Sequence, residues 1–181
     1  MYNNTKEDDK MYNIPTTVNT KVPPHNKSKI FIIFFITIVL FILFALFLLN
    51  VKILNTHGHS MQPTIKDNSY VICVKSDSIE RGDIIAFKRR GEIKIKRVVG
   101  LSNEIININK EGRVYIGSEL LKENYVSNFT QGDIEIPIPH TVSSNSVFVL
   151  GDNRENSLDS RHHQIGDIKI NEIICEVKLV I

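Results

Sequence analysis

The hydrophobic pattern divides the chain unequally. Residues 30–49, IFIIFFITIVLFILFALFLL, carry no charge, and Thr37 is the only polar residue among them. Twenty residues at about 1.5 Å each make a helix of roughly 30 Å, the thickness of a bilayer's hydrocarbon core. The run therefore predicts one transmembrane helix. A cleavable secretion signal has an apolar region of about 7–15 residues that ends at small residues. Here the run passes through Phe47, Leu48 and Leu49 into Asn50, Val51 and Lys52. An uncleaved anchor fits better.

Beyond residue 50 the pattern changes to short runs rich in β-branched residues. Segments 69–74 (SYVICV), 83–87 (DIIAF), 94–99 (KIKRVV), 114–116 (VYI), 146–150 (SVFVL) and 173–181 predict strands. Turn formers separate them at Asp67-Asn68, Arg81-Gly82, Arg90-Gly91, Gly151-Asp152-Asn153 and Gly166-Asp167. No stretch after residue 50 keeps a helical period. Short strands at irregular spacing predict a mainly β fold, a folded-over sheet or partly open barrel behind one N-terminal transmembrane helix. The expected division is a polar, disordered cytoplasmic tail over 1–29, an anchor over 30–49 and an extracytoplasmic β-rich domain over 50–181.

Charge sharpens this picture. The chain has 181 residues and net charge +2. Residues 1–29 hold five lysines against three acids, whereas residues 50–181 balance 17 basic against 17 acidic side chains. A neutral domain argues against nucleic acid as a partner, because phosphate binding needs a basic footprint. Lys27 and Lys29 precede the apolar run and only Lys52 follows it closely. The positive-inside rule then places the N-terminus in the cytoplasm. Two cysteines, Cys73 and Cys175, lie in strand-like segments. An oxidising compartment permits a bond between them. The competing reading is two small buried apolar residues, since spacing alone does not establish the geometry a disulfide needs.

Three stretches carry candidate chemistry. The first is Gly58-His59-Ser60-Met61-Gln62-Pro63-Thr64. Pro63 fixes φ and restricts Gln62, and Gly58 lets the backbone pass close to a neighbour. Such rigid flanks suit a serine whose hydroxyl must point one way. A serine nucleophile needs a base. If the segment is extended, His57 and His59 face away from Ser60. His140, His162 and His163 come with no recognisable orienting partner, and His57-Gly58-His59 is a poor metal pair. The second stretch holds Lys94 and Lys96. Read alone, it is the wet face of an alternating strand, but a lysine desolvated by apolar neighbours loses its proton more easily and can act as base. The third is Gly151-Asp152-Asn153-Arg154-Glu155-Asn156-Ser157-Leu158-Asp159-Ser160-Arg161, where an Asp159–Arg161 pair could stiffen a polar loop.

These stretches, in this order behind one apolar run, resemble the type I signal peptidases, in the short single-anchor form of Gram-positive bacteria. The boxes read SMQPT at 60–64, RGDIIAF at 81–87, KRVVGL at 96–101 and GDNRENSLDSR at 151–161, and the resemblance spans about residues 25–181. It implies a serine endopeptidase that removes signal peptides from exported preproteins after small residues, of Ala-x-Ala type, through an acyl-enzyme. It implies Ser60 as nucleophile, Lys96 as general base and Ser157 as a hydroxyl orienting the lysine amine. Asp159 and Arg161 would form a supporting salt bridge, and Asp152 and Asn153 the turn that holds the loop. The Ser60 N–H would contribute to an oxyanion hole. Some relatives have a hydroxyl at the position of Gly58, so help there would come from its backbone or water. Shallow pockets for small substrate residues are expected near Met61, Val71, Cys73 and Ile95, and a pocket role for Cys73 counts against a disulfide. No metal or cofactor is expected, and the partners are signal peptides and membrane lipid.

The chain departs from the family after KRVVGL, where Ser102-Asn103-Glu104 replaces the usual Pro-Gly-Asp, so a different turn is expected behind the base strand. Arg81-Gly82-Asp83 spells an adhesion tripeptide, but the family box accounts for it. Rival readings are a soluble Ser-Lys self-cleaving repressor-type peptidase, which would lack the apolar run, and an anchored binding module with an inactive peptidase fold. Ser60 lies eleven residues past Leu49, so it reaches at most about 35–40 Å from the bilayer.

Overall fold

The computed structural model describes residues 27–181. Residues 1–26 of the expected tail lie outside the described residues. Helix α1 spans Lys27–Asn50, 24 residues, a few more than the apolar run. The one polar side chain within that run is satisfied locally, with Thr37 Oγ1 donating to the Phe34 carbonyl at 2.8 Å. Side chains from Lys27 to Phe44 are exposed, and the helix is long and apolar enough to cross a membrane. A core helix of a soluble protein would instead bury its apolar face.

The rest of the chain is antiparallel β. Among the described residues, strands β1 (Val51–Asn55), β2 (Tyr70–Val74), β3 (Ile84–Arg89), β4 (Glu92–Gly100), β9 (Ser146–Leu150), β10 (Ile168–Lys169) and β11 (Ile173–Val180) form one sheet. Its order is β1-β2-β11-β3-β4-β9-β10. A smaller sheet, β7-β6-β5-β8, is built from β5 (Ile105–Ile108), β6 (Val114–Ile116), β7 (Glu119–Leu120) and β8 (His140–Thr141). All six strands expected from the sequence are present. β1 is not marked in the sequence because it follows directly on the apolar run with only Asn50 between. β5 is not marked because Asn107 interrupts its isoleucines, although Ile106 and Ile108 point inward in strand alternation.

Strand β9 explains how the core is arranged. Its five residues are all buried, as happens when both faces of a strand are covered. Val147 and Val149 join Ile85, Phe87, Val98 and Ile168 in one cluster. Phe148 and Leu150 face the other way, into a second cluster with Val99, Ile106, Ile108 and Val114. One strand thus ties the two sheets together.

One portion of the large sheet, β1-β2-β11-β3-β4, encloses a cleft. Its outer members are β1 and β4, yet Ile53–Asn55 and Glu92–Lys96 line the same cleft. The sheet therefore curls until its margins face each other, a barrel left open between β1 and β4. Strand β9 pairs only with Arg97–Gly100 of β4, so Glu92–Lys96 offer the cleft a backbone edge that no described strand takes up. Behind this wall Cys73 on β2 and Cys175 on β11 are joined, with Cα atoms 5.5 Å apart. The sequence left the bond open and a pocket role for Cys73 opposed it. The bond is realised because β2 and β11, distant in the chain, are neighbours in the sheet.

Candidate active site

The loop between β1 and β2 is closed at its base, where Thr56 N–H donates to Ser69 O and Asn68 N–H to Thr56 O. Gly58 has φ +96°, in the left-handed region that glycine enters without penalty. Its N–H donates to Asp67 Oδ1 at 2.8 Å, so that group is already committed. The chain then winds into a turn, with Ile65 N–H donating to Met61 O at 2.8 Å. Ser60 sits half-buried at the start of this turn, and its N–H meets no acceptor among the described residues. The segment is not extended, so facing is not what decides among the histidines. Instead four of the five described histidines are engaged elsewhere. His57 bonds to Asn68, His59 to Gln62, His140 to Asp167 and His162 to the Asp159 carbonyl.

Lys96 is the group that meets Ser60. Its Nζ lies 2.7 Å from Ser60 Oγ and 2.9 Å from the Ile95 carbonyl oxygen, and the residue is only 4% exposed. Lys94, on the same side of β4, stays near the rim and pairs with Glu92 at 3.0 Å. The wet-face reading holds for Lys94 and fails at Lys96, where the cleft wall closes over the strand. Burial lowers the Lys96 pKa to about 8. The Asp159 and Asp152 carboxylates oppose the shift, and Lys94 adds to it.

The 151–161 loop holds this pair in place. Asp159 is fully buried, and both its oxygens accept from Arg161, each at 2.9 Å. Burial pushes the Asp159 carboxyl up, but bonding and charge from Arg161, with the Gly151 N–H, leave it below the ordinary range. A Cβ on Gly151 would overlap Ser157 and the Ser60 carbonyl oxygen, so only glycine lets the two loops meet. Asn153 then ties them, its N–H donating to Ser60 O at 3.1 Å and its Nδ2 to His59 O at 3.1 Å. Ser157 Oγ is buried and completes no hydrogen bond of good geometry with a described residue. It contributes weakly to holding Asp159 down. The bond from Ser157 to the lysine that the resemblance implies is not formed in this structure.

Sequence reasoning missed a second set of supports. Asp152 accepts from Arg97 Nε at 2.8 Å and Nη2 at 2.7 Å, and from Thr64 Oγ1 at 2.5 Å. Arg97, next to Lys96, and Thr64, four residues past Ser60, thus share one buried carboxylate. Burial works against the charged Arg97, but Asp152 outweighs it and raises the Arg97 pKa. Arg97 also stacks on Tyr125, 4.0 Å from the ring centroid, and Glu123 pairs with buried Arg154. Arg97 and Thr64 were visible inside the KRVVGL and SMQPT boxes. Glu123 and Tyr125 carried no signal.

Residues 28–181 match the family model described as signal peptidase, peptidase S26. The chain belongs to that family. Among curated relatives, signal peptidase I U of Bacillus subtilis (strain 168) is 32% identical over 152 residues, 75% of this chain and 79% of that protein. Signal peptidase I of Bacillus caldolyticus is 35% identical over 136 residues, 66% of this chain and 73% of that protein. A crystal structure of a signal peptidase I from Enterococcus faecalis V583 is 30% identical, with TM-score 0.47, and covers 56% of this chain and 98% of that one.

In this signal peptidase the cleft beside Ser60 and Lys96 has a volume of about 770 Å³. Of the four residues expected to form pockets, Met61 and Ile95 line it, whereas Val71 and Cys73 do not. Val71 is fully buried against Met61 and Ile65. Cys73, bonded to Cys175, packs against Leu54 and Ile95 from behind. Both are fully buried and pack against residues that line the cleft. The altered turn after KRVVGL is tight: Asn103 takes φ +66°, and Glu104 caps Leu101 N–H at 2.7 Å while pairing with Arg81 at 2.6 Å. It leaves Lys96 within reach of Ser60.

Proposed function

We propose that Ser60 and Lys96 are the nucleophile and general base of signal peptide cleavage, carried out beside a membrane that α1 spans. The activity itself, removal of signal peptides by a serine peptidase, follows from family membership. The observation that carries the residue assignment is the 2.7 Å approach of a buried amine to the Ser60 hydroxyl. With a pKa of about 8, a useful share of Lys96 is neutral near pH 7–8.

Neutral Lys96 Nζ takes the Ser60 proton as Oγ attacks the substrate carbonyl carbon. The resulting oxyanion is stabilised by the unspent Ser60 N–H; Gly58 N–H, held by Asp67, is not available for this. The C–N bond breaks, Lys96 Nζ–H protonates the leaving amine, and the signal peptide remains as an ester on Oγ. Lys96 then takes a proton from the water that attacks the ester and returns a proton to Oγ as the C–O bond breaks, which frees Ser60 and releases the signal peptide as a carboxylic acid. The substrate adds as an extended strand along the open edge of Glu92–Lys96. Small residues at the first and third positions before the cut sit against Leu54, Met61 and Ile95. Ser157, with no other strong partner, is the hydroxyl free to take up the amine during proton exchange. Lys27 and Lys29 outnumber Lys52 at the two ends of the span and support a cytoplasmic N-terminus, with the β domain on the far side.

The test uses the full chain in detergent and a peptide with an Ala-x-Ala site. Ser60→Ala and Lys96→Ala are expected to lose at least about a hundredfold in kcat, while His59→Ala keeps its activity. A Lys96→Ala protein that cuts at the normal rate sinks the assignment of the base.

A further inference from the structure

A second hollow, about 580 Å³, opens beside the catalytic cleft. It begins at Gln62, two residues past Ser60, and Asn156 lines both hollows. The chemistry changes across that boundary. Leu54, Met61 and Ile95 wall the first, whereas Ser127, Asn128, Glu155, Lys66 and Asp67 wall the second. Asp67 is spent on the Gly58 and Asn68 N–H groups. The side chains of Ser127, Asn128, Glu155 and Lys66 make no bond to other described residues, so their donors, acceptors and charges face the hollow unengaged.

We propose that this second hollow binds the mature side of the preprotein, the residues just after the cut. The proposal rests on the function assigned above to Ser60. An endopeptidase holds its substrate on both sides of the scissile carbonyl, and the acyl half stays in the first cleft, attached to Oγ. The leaving half departs in the other direction, which passes Asn156 into the second hollow. Mature sequences have no common side chain there, so a site that serves them must grip the backbone. Amides and a hydroxyl do this for any extended peptide, because each can meet a main-chain N–H or C=O. Glu155 and Lys66 add a preference for opposite charge on the substrate.

Two peptides share an Ala-x-Ala signal side; one continues several residues past the cut and the other stops one residue after it. The full chain in detergent should cut the longer with higher kcat/KM. In the double variant Asn128→Ala/Glu155→Ala the ratio of long to short should fall about three- to tenfold. Glu155→Lys should reverse the preference between Lys and Glu at the second position after the cut. Both residues are exposed, and thermal melting checks that the variants stay folded. Equal cleavage of the two peptides by the wild type, or an unchanged ratio in the double variant, overturns the hollow's role. A Ser60→Ala protein that still cuts the short peptide overturns the function instead.

Discussion

At the scale of single residues the site depends on one amine kept short of water. Lys96 titrates near 8 instead of its ordinary 10.5 because burial penalises its charged form. Only the neutral form can accept the Ser60 proton. kcat/KM on an uncharged peptide should therefore rise about tenfold per pH unit below pH 8 and level off above it, as a pH–rate profile would show. A profile flat from pH 6 to 9 contradicts the assignment. The same shift bears on stability. A folded value below the unfolded one means the unfolded chain binds more protons between about pH 8 and 10.5. The penalty is complete below pH 8 and gone above 10.5. Lys96→Met should therefore be inactive yet melt higher at pH 7, by up to about 3 kcal/mol, with the gain vanishing near pH 10.5. Equal melting of the two proteins across that range would mean Lys96 is not desolvated.

At the scale of elements the chemistry needs two loops and one strand in register. Strand β4 brings Lys96 and Arg97 on opposite faces, one to Ser60 and the other to Asp152. Asp152 passes the constraint to Thr64, and Asn153 holds the Ser60 carbonyl. The contact between the loops requires Gly151 to have no side chain. Gly151→Ala should push Ser60 away from its base and cut kcat by at least about tenfold, since small misplacements of reacting groups are costly. Circular dichroism would verify that the β fold persists, and a variant with normal kcat would show the loops can part without harm. The boxes containing these residues were readable as motifs. The contacts were not, because Arg97 and Asp152 are 55 positions apart and nothing in either local pattern names the other.

At the scale of the whole molecule, one covalent link ties strands from distant parts of the chain. The Cys73–Cys175 bond joins β2 to β11 and closes a chain separation of 102 residues, just behind Leu54 and Ile95 of the cleft wall. Reduction should lower the urea midpoint by an amount equivalent to about 2–5 kcal/mol, and Cys73→Ala/Cys175→Ala should reproduce the loss without reductant. A midpoint indifferent to reductant would show that the bond bears none of the fold's stability. The apolar run, the predominance of strands, the order of the motifs and the candidacy of Ser60 and Lys96 were all determined by the sequence. These are local in nature: a helix is set by the length and composition of one segment, and a motif by its own spacing. Tertiary structure alone decided that Lys96 is buried while Lys94 is not, that the cysteines are bonded, and that Val71 and Cys73 lie behind the cleft and not in it. Each of those depends on what covers a residue, and the covering groups come from strands and loops far away in the chain.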